Sequence, residues 1–288
     1  MNQICCMRLV KHGCVIYATL LRYIGLVVMS ESQPARPAES QPARPAESQP
    51  ARSAVFQPAR PAGFQPARFQ RARSAGAKQQ REEAILAAAA RLGAERGIRR
   101  ITLTDIADAV GLHKSAMLRY FETREQIFLR LTADGWREWS AALRQELGRL
   151  GPGVPAVTVA RAFAGSLADR PMFCDLLAQA PLNLERNVSI ESVRAFKLVT
   201  LDEVSAISAE LHRVLGLTEQ QSVDVIATAT SLAGALWQMA TPGPEVAVLY
   251  RSDPRLAHAV VEVGPRLTRV LTALLAGLGV SREEPPPV

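Results

Sequence analysis

Apolar residues recur at helical spacing from residue 78 onward. The stretch KQQREEAILAAAARLGAERG places Ile85, Ala88, Ala89 and Leu92 on one face and its charged residues elsewhere. Gly97 follows Glu95 and Arg96 where a left-handed residue would end the helix. Thr102, with Asp105 three positions on, has the form of a capping box in which Asp replaces the usual Glu. A short second helix follows, with Ile106, Ala109 and Val110 inward, and Gly111 supplies a tight turn. A third helix over about 113–120 gives Met117, Leu118 and Phe121 to the core. Two short helices joined by a glycine turn, with Ala107 where they must approach, make a helix-turn-helix plan. The second helix of such a pair lies in the DNA major groove, its N-terminal side chains at the base edges.

Beyond residue 125 no alternating apolar–polar segment is long enough for a strand. The pattern predicts helices over 124–149, 155–168, 171–180, 189–214, 218–240 and 255–277. Breaks fall at GPGVP (151–155), at Arg170–Pro171, near 181–187, at LGLT (215–218) and at TPGP (241–244). Thr218 with Gln221 is a capping box, and Ser189 with Ser192 a weaker form of one. The fold expected is all-α: a three-helix helix-turn-helix domain over 78–125, a helical bundle over 126–280, and a disordered tail over 281–288.

Residues 1–77 have a different character. The octapeptide ESQPARPA occurs at 31–38, again at 39–46, and in degenerate form through residue 70. Its prolines and near-absence of apolar residues beyond Ala leave nothing to bury against the entropy of ordering, so a disordered extension is expected. Residues 15–29 are apolar but carry Arg22 at their centre and precede no A-x-A cleavage pattern. A translation start at Met29 is favoured over an anchor, and an anchor over a secretion signal. No run of about 18 uninterrupted apolar residues occurs, so stable membrane association is not expected.

The formal net charge of +7 is unevenly spread. Residues 1–125 carry the whole positive excess, whereas 126–288 hold fifteen basic against seventeen acidic groups. An anionic partner therefore belongs to the first half. Cys5, Cys6 and Cys14 crowd the N-terminus and Cys174 stands alone, a usage that fits a reducing cytoplasm rather than a disulfide scaffold. Cys174 has no basic neighbour in sequence and reads as a buried thiol.

The set Arg81, Ile85, Leu86, Ala89, Gly97, Thr102, Asp105, Ile106, Ala107, Gly111, Leu112, Leu118, Phe121, Arg124 and Glu125 resembles the DNA-binding domain of TetR-family transcriptional regulators. Two positions depart from that family's form: its common tyrosine falls at Leu118, and its common lysine at Arg124. The resemblance implies that Thr102 caps the second helix and Thr104 sits near the phosphate backbone. It makes His113, Lys114 and Ser115 base-edge candidates, and Arg119, Tyr120 and Arg124 phosphate clamps, with Tyr120 able to supply the hydroxyl that Leu118 lacks. It also implies a ligand-binding bundle that dimerises through helices near 218–240 and 255–277. The small residues Ala227, Thr230, Ser231, Gly234 and Ala235 would suit close helix approach there, or packing within one subunit.

Trp136, Trp139, Phe163, Phe173, Phe196 and Trp237 are the candidate lining of a ligand pocket, although aromatic residues at helical spacing also make ordinary core. Asn183, Asn187, His212 and Gln238 stand near them as polar groups able to orient a ligand. The four histidines, His12, His113, His212 and His258, lack metal-ligand spacing, and G-x-G-x-x-G, G-x-S-x-G and H-E-x-x-H are absent. No metal, cofactor or enzymatic chemistry is expected. The sequence points to a cytoplasmic, homodimeric regulator of a double-stranded DNA operator, a repressor released by an apolar or amphipathic small molecule. The competing class is a structural or membrane-anchored basic DNA-binding protein without ligand control.

Overall fold

The computed structural model describes residues 67–279, and every regular element among them is helical. The repeat tract up to residue 66, the apolar stretch at 15–29, three of the cysteines and the tail from 280 lie outside the described residues. Helix α1 (Ala67–Arg96) starts well before Lys78, directly after Pro66. The intervening ARFQRARSAGA is free of proline and rich in helix formers, so propensity carries the helix back through it. Gly97 (φ 79°) stops it, and a 3-10 turn, Ile98–Arg100, leads to α2 (Leu103–Ala109). Thr102 closes a complete capping box: its oxygen accepts from the Asp105 amide while the Asp105 carboxylate accepts from the Thr102 amide.

Helix α3 (Lys114–Met117) is a single turn continued by turn residues, shorter than the sequence suggests. The inward side chains of this unit are Ile106, Ala107, Met117 and Phe121; Ala109 is exposed and Leu118 is 55% exposed. So short a helix presents little more than one buried residue, and Met117 takes that position.

Six further α-helices follow: α4 (Arg124–Leu147), α5 (Ala156–Ala168), α6 (Pro171–Gln179), α7 (Ile190–Leu215), α8 (Glu219–Ala240) and α9 (Pro244–Ser252). The last, α10, spans Val263–Gly277. Helix α4 is the spine: it packs on α7, α5 and α6 and also reaches α1. Its Trp139 is fully buried, edge-on to Trp136 (5.4 Å) and to Phe163 of α5 (6.0 Å). Phe173 of α6 closes the cluster, 5.9 Å from each tryptophan. The indole N–H of Trp139 donates to Ser166 Oγ at 3.0 Å, so this deep core leaves that donor satisfied. Helix α10 buries Leu267, Leu271 and Leu275 against α5 and α8.

Two expectations change at the C-terminal end. The helix drawn over 255–277 begins only at Val263; Pro254–Ala259 form a 3-10 turn. Pro265 lies in the first turn of α10, where its missing N–H is harmless; further in, its ring would collide with the preceding turn. The TPGP break is itself the start of a helix, because Pro244 takes the first position of α9 with Glu245 beside it.

Glycine substitutions test this packing. A Cβ on Gly234 of α8 would lie 2.9 Å from the Ala178 backbone nitrogen and 3.1 Å from its Cα. Gly165 of α5 is exposed, with nothing within 4 Å. Gly234→Ala should cost about 1–3 kcal/mol by overpacking, whereas Gly165→Ala should stabilise by roughly 0.5–1 kcal/mol through helix propensity. Urea unfolding of both variants measures the contrast.

Candidate functional site

Six of the predicted DNA-contacting residues, Thr102, Thr104, His113, Lys114, Ser115 and Arg119, are exposed. His113 caps α3 without using its side chain, so the imidazole remains free of the cap. Lys114 and Ser115 occupy the first turn, the position that meets base edges in a helix-turn-helix. The Thr102 hydroxyl is engaged with Asp105 and holds that carboxyl below the usual carboxylate range. Tyr120 is half-buried and packs against the core. Arg99 and Arg100, separated from Thr102 by Ile101 alone, are exposed cations that the sequence reading passed over. A basic pair one residue ahead of a helix cap was the available signal.

Arg124 is placed differently from its expected role as a phosphate clamp. Its side chain is only 15% exposed. Nε donates to the Ile101 carbonyl and Nη2 to the Ile98 carbonyl, while Nη1 pairs with Glu125 at 2.9 Å. The guanidinium also lies 4.7 Å from the Phe128 ring centre. Its donors are thus spent on the turn between α1 and α2, not presented to solvent.

The same turn is held from the opposite side. The Ile98 N–H donates to Asp175 Oδ2 of α6 at 3.0 Å, and Asp175 Oδ1 accepts from Gln238 of α8 at 2.8 Å. A second tie joins the start of α4 to the start of α7. Glu122 accepts at 2.9 Å from the Ser189 N–H, the Ser189 hydroxyl and the Ser192 hydroxyl. The Ser189 N–H is the main cause that holds the Glu122 carboxyl below its ordinary value. Thr123 donates to the Asn187 carbonyl at 3.1 Å, and Gln126 to Ser192 Oγ at 2.9 Å.

Between α4, α6, α7 and α8 lies a cavity of about 240 Å³. Trp136, Leu177, Phe196, Val204, Val223 and Ile226 form most of its apolar wall. Of the six aromatic candidates, Trp136 and Phe196 line it. Trp139, Phe163 and Phe173 are instead locked in the core cluster, and Trp237 packs half-buried against the core, outside the lining. Helical spacing fixes which side chains face inward; which of them meet a void depends on how the facing helices close.

Sequence reasoning missed the polar part of the cavity. Lys197 Nζ sits 2.8 Å from Glu185, with side-chain exposures of 5% and 8%. Both residues line the cavity, as do Thr200 and Thr230. Lys197, Thr200 and Val204 share one face at helical spacing, so a lysine within a buried stripe was the signal in the sequence. The small face of α8 also divides. Ala227, Thr230 and Ser231 border the cavity, Gly234 abuts Ala178, and Ala235 is exposed. Cys174 is buried with its thiol donating to the Leu167 carbonyl at 3.2 Å; burial, reinforced by Asp175, pushes its pKa up to about 12. Among the described residues no cluster could hold a metal, and no helix is long and apolar enough to cross a membrane.

Comparison with known families matches residues 85–131 to "Bacterial regulatory proteins, tetR family" and residues 133–282 to "Tetracyclin repressor-like, C-terminal domain". The second match alone spans more than half of the 288 residues. The chain belongs to the TetR family. It is a DNA-binding transcriptional regulator, with the helix-turn-helix in the first matched segment. Among TetR-like solved structures is Thermus thermophilus FadR, described as a TetR-family transcriptional repressor in complex with lauroyl-CoA. It is 19% identical with a TM-score of 0.47, over 72% of this chain and 99% of that one. The fatty acid degradation regulator FadR of Bacillus halodurans is 14% identical with a TM-score of 0.41, over 66% and 94% of the two chains. RolR in complex with resorcinol is 16% identical with a TM-score of 0.41, over 74% and 98%. No protein of curated function matches the sequence.

Replacing Arg124 with alanine would leave the Ile98 and Ile101 carbonyls without this donor. Arg124→Ala should therefore destabilise the fold by about 2–3 kcal/mol, the scale of charge-assisted hydrogen bonds. The salt dependence of DNA binding should stay unchanged. Chemical denaturation and a salt titration on the same preparation test the two halves; a salt slope lowered by about one with unaltered stability would restore Arg124 to the phosphates.

Proposed function

We propose that this regulator is a cytoplasmic homodimeric repressor that leaves its operator when a small molecule occupies the cavity between α4, α6, α7 and α8. The observation carrying this reading is that the cavity wall is built from the segments that hold the DNA-binding unit. Leu177 lines the cavity two residues from Asp175, which accepts the Ile98 amide. Phe196 lines it on the helix whose first turn binds Glu122. A ligand that shifts these walls shifts the turn and the start of α4 with them. Binding and release are then linked, since a ligand favouring the off-DNA arrangement binds more weakly when operator is present.

His113, Lys114 and Ser115 read base edges in the major groove, and Arg119 and Thr104 meet the backbone. Leu118, exposed beside them, suits a thymine methyl better than a phosphate. One recognition helix reads only a few base pairs, so two copies bind a near-palindromic site, with recognition helices about 34–36 Å apart. The outward faces of α8 and α10 offer Ser231, Ala235, Met239 and Val270 for the dimer contact. These residues are small or apolar and permit close approach.

Operator binding by variants tests the assignment. Lys114→Ala should weaken the operator complex by about 1–3 kcal/mol and relax discrimination at one base pair. Arg119→Ala should weaken all sequences alike and reduce the salt slope by about one. Unchanged affinity in both variants at moderate salt would remove this surface from the DNA.

A further inference from the structure

The cavity contains one feature that its apolar walls do not explain, a buried ion pair at its edge. Lys197 and Glu185 are both nearly shielded from water, 2.8 Å apart, and both border the void. Their backbones are unlike. Lys197 lies within α7, packed against α4 and α8, with its ammonium 5.4 Å from the Phe196 ring centre. Glu185 opens a three-residue 3-10 turn whose other members, Arg186 and Asn187, are exposed. The lysine belongs to a long packed helix, whereas the glutamate heads a short turn whose next two residues face solvent.

The remaining polar groups limit what can bind. Thr200 and Thr230 donate their hydroxyl protons to the Phe196 and Ile226 carbonyls at 3.1 and 2.9 Å. With those protons committed and Ser231 at the exposed edge, Lys197 is the one cationic side chain of the lining. An incoming cation would have to displace that lysine from Glu185 and strand a buried ammonium without a counter-ion. An incoming anion displaces Glu185 instead, and the freed carboxylate can reach water.

We propose that the cavity takes a small molecule with an apolar body and a single carboxylate, which replaces Glu185 as the partner of Lys197. This rests on the reading of the cavity as the effector site and adds the chemical class of the effector. It also supplies the first movement of release. Asn187, at the end of the Glu185 turn, accepts from Thr123, and Ser189 holds Glu122. Displacing Glu185 therefore pulls on the hydrogen bonds that join α7 to the beginning of α4.

The test uses full-length protein and three probes of one shape: octanoate, octanamide and octylammonium. Binding is read by tryptophan fluorescence or calorimetry, and release by dissociation of the operator complex. Octanoate should bind about tenfold or more tightly than octanamide, the ratio expected of a charge-assisted contact, and octylammonium more weakly still. Lys197→Gln should erase the preference for the acid. Glu185→Gln, which removes the internal competitor, should tighten octanoate and weaken the operator complex without any ligand.

Several outcomes overturn the inference: equal binding of octanoate and octanamide, a preference surviving in Lys197→Gln, no tightening in Glu185→Gln, or no octanoate binding at millimolar concentration. The wild-type comparison needs no variant to fold. Octanamide that binds equally and releases the operator removes the role of Lys197 yet leaves the effector reading intact. Octanoate that prefers wild type over Lys197→Gln but leaves the operator complex whole upholds the site and contradicts the effector reading.

Discussion

The turn from Ile98 to Ile101 is gripped from two sides, and the placement of the DNA-reading surface depends on that grip. Its leading amide donates to the buried Asp175 carboxylate, and its carbonyls at Ile98 and Ile101 accept from Arg124. A 3-10 turn has few internal hydrogen bonds, so these side chains satisfy backbone groups that burial would otherwise leave costly. The turn ends at Thr102, the cap of α2. Its orientation therefore fixes where α2 and α3 point.

Asp175 joins three elements at once, because Gln238 of α8 donates to its other oxygen. Directly after it, α6 runs along the cavity wall and presses against Gly234 with no room for a side chain. The second tie, from Glu122 to Ser189 and Ser192, starts one turn of chain beyond Glu185. The ties through Asp175 and through Glu122 thus both end beside the cavity. The aromatic cluster of Trp136, Trp139, Phe163 and Phe173 gives them a stiff backing, with only Trp136 reaching the void. A rigid core with a yielding polar edge localises a ligand's effect to that edge. A buried ion pair is weak evidence for stability by itself; at a cavity wall it is exchangeable, which suits a switch.

Much of the fold was legible because its signals are local. The capping boxes at Thr102 and Thr218 form as the residues predict, and Gly97 and Gly111 adopt the left-handed backbone that ends their helices. The long helices follow apolar periodicity to within a residue or two from 124 to 240. Directions decided by tertiary packing were not legible. Arg124 keeps its family position, but nothing in sequence says whether its guanidinium turns outward to phosphate or inward to two carbonyls. Six aromatics at helical spacing look alike until the facing helices are in place, and then only two meet the cavity. The Lys197–Glu185 pair spans a break in helix, where spacing rules carry no information, though the lysine's buried register did.

Hydrogen exchange at the Ile98 amide, resolved residue by residue in the native protein, tests the central claim most directly. If the turn is pinned to the bundle through Asp175, this amide exchanges only through openings that also expose the core of α6, at a rate close to that of the Cys174 amide. Such protection is expected even though the turn joins two helices of the smaller unit. Rapid exchange of Ile98, on the scale of exposed loop amides such as Gly151, would show that the DNA-reading unit moves independently and would contradict the account.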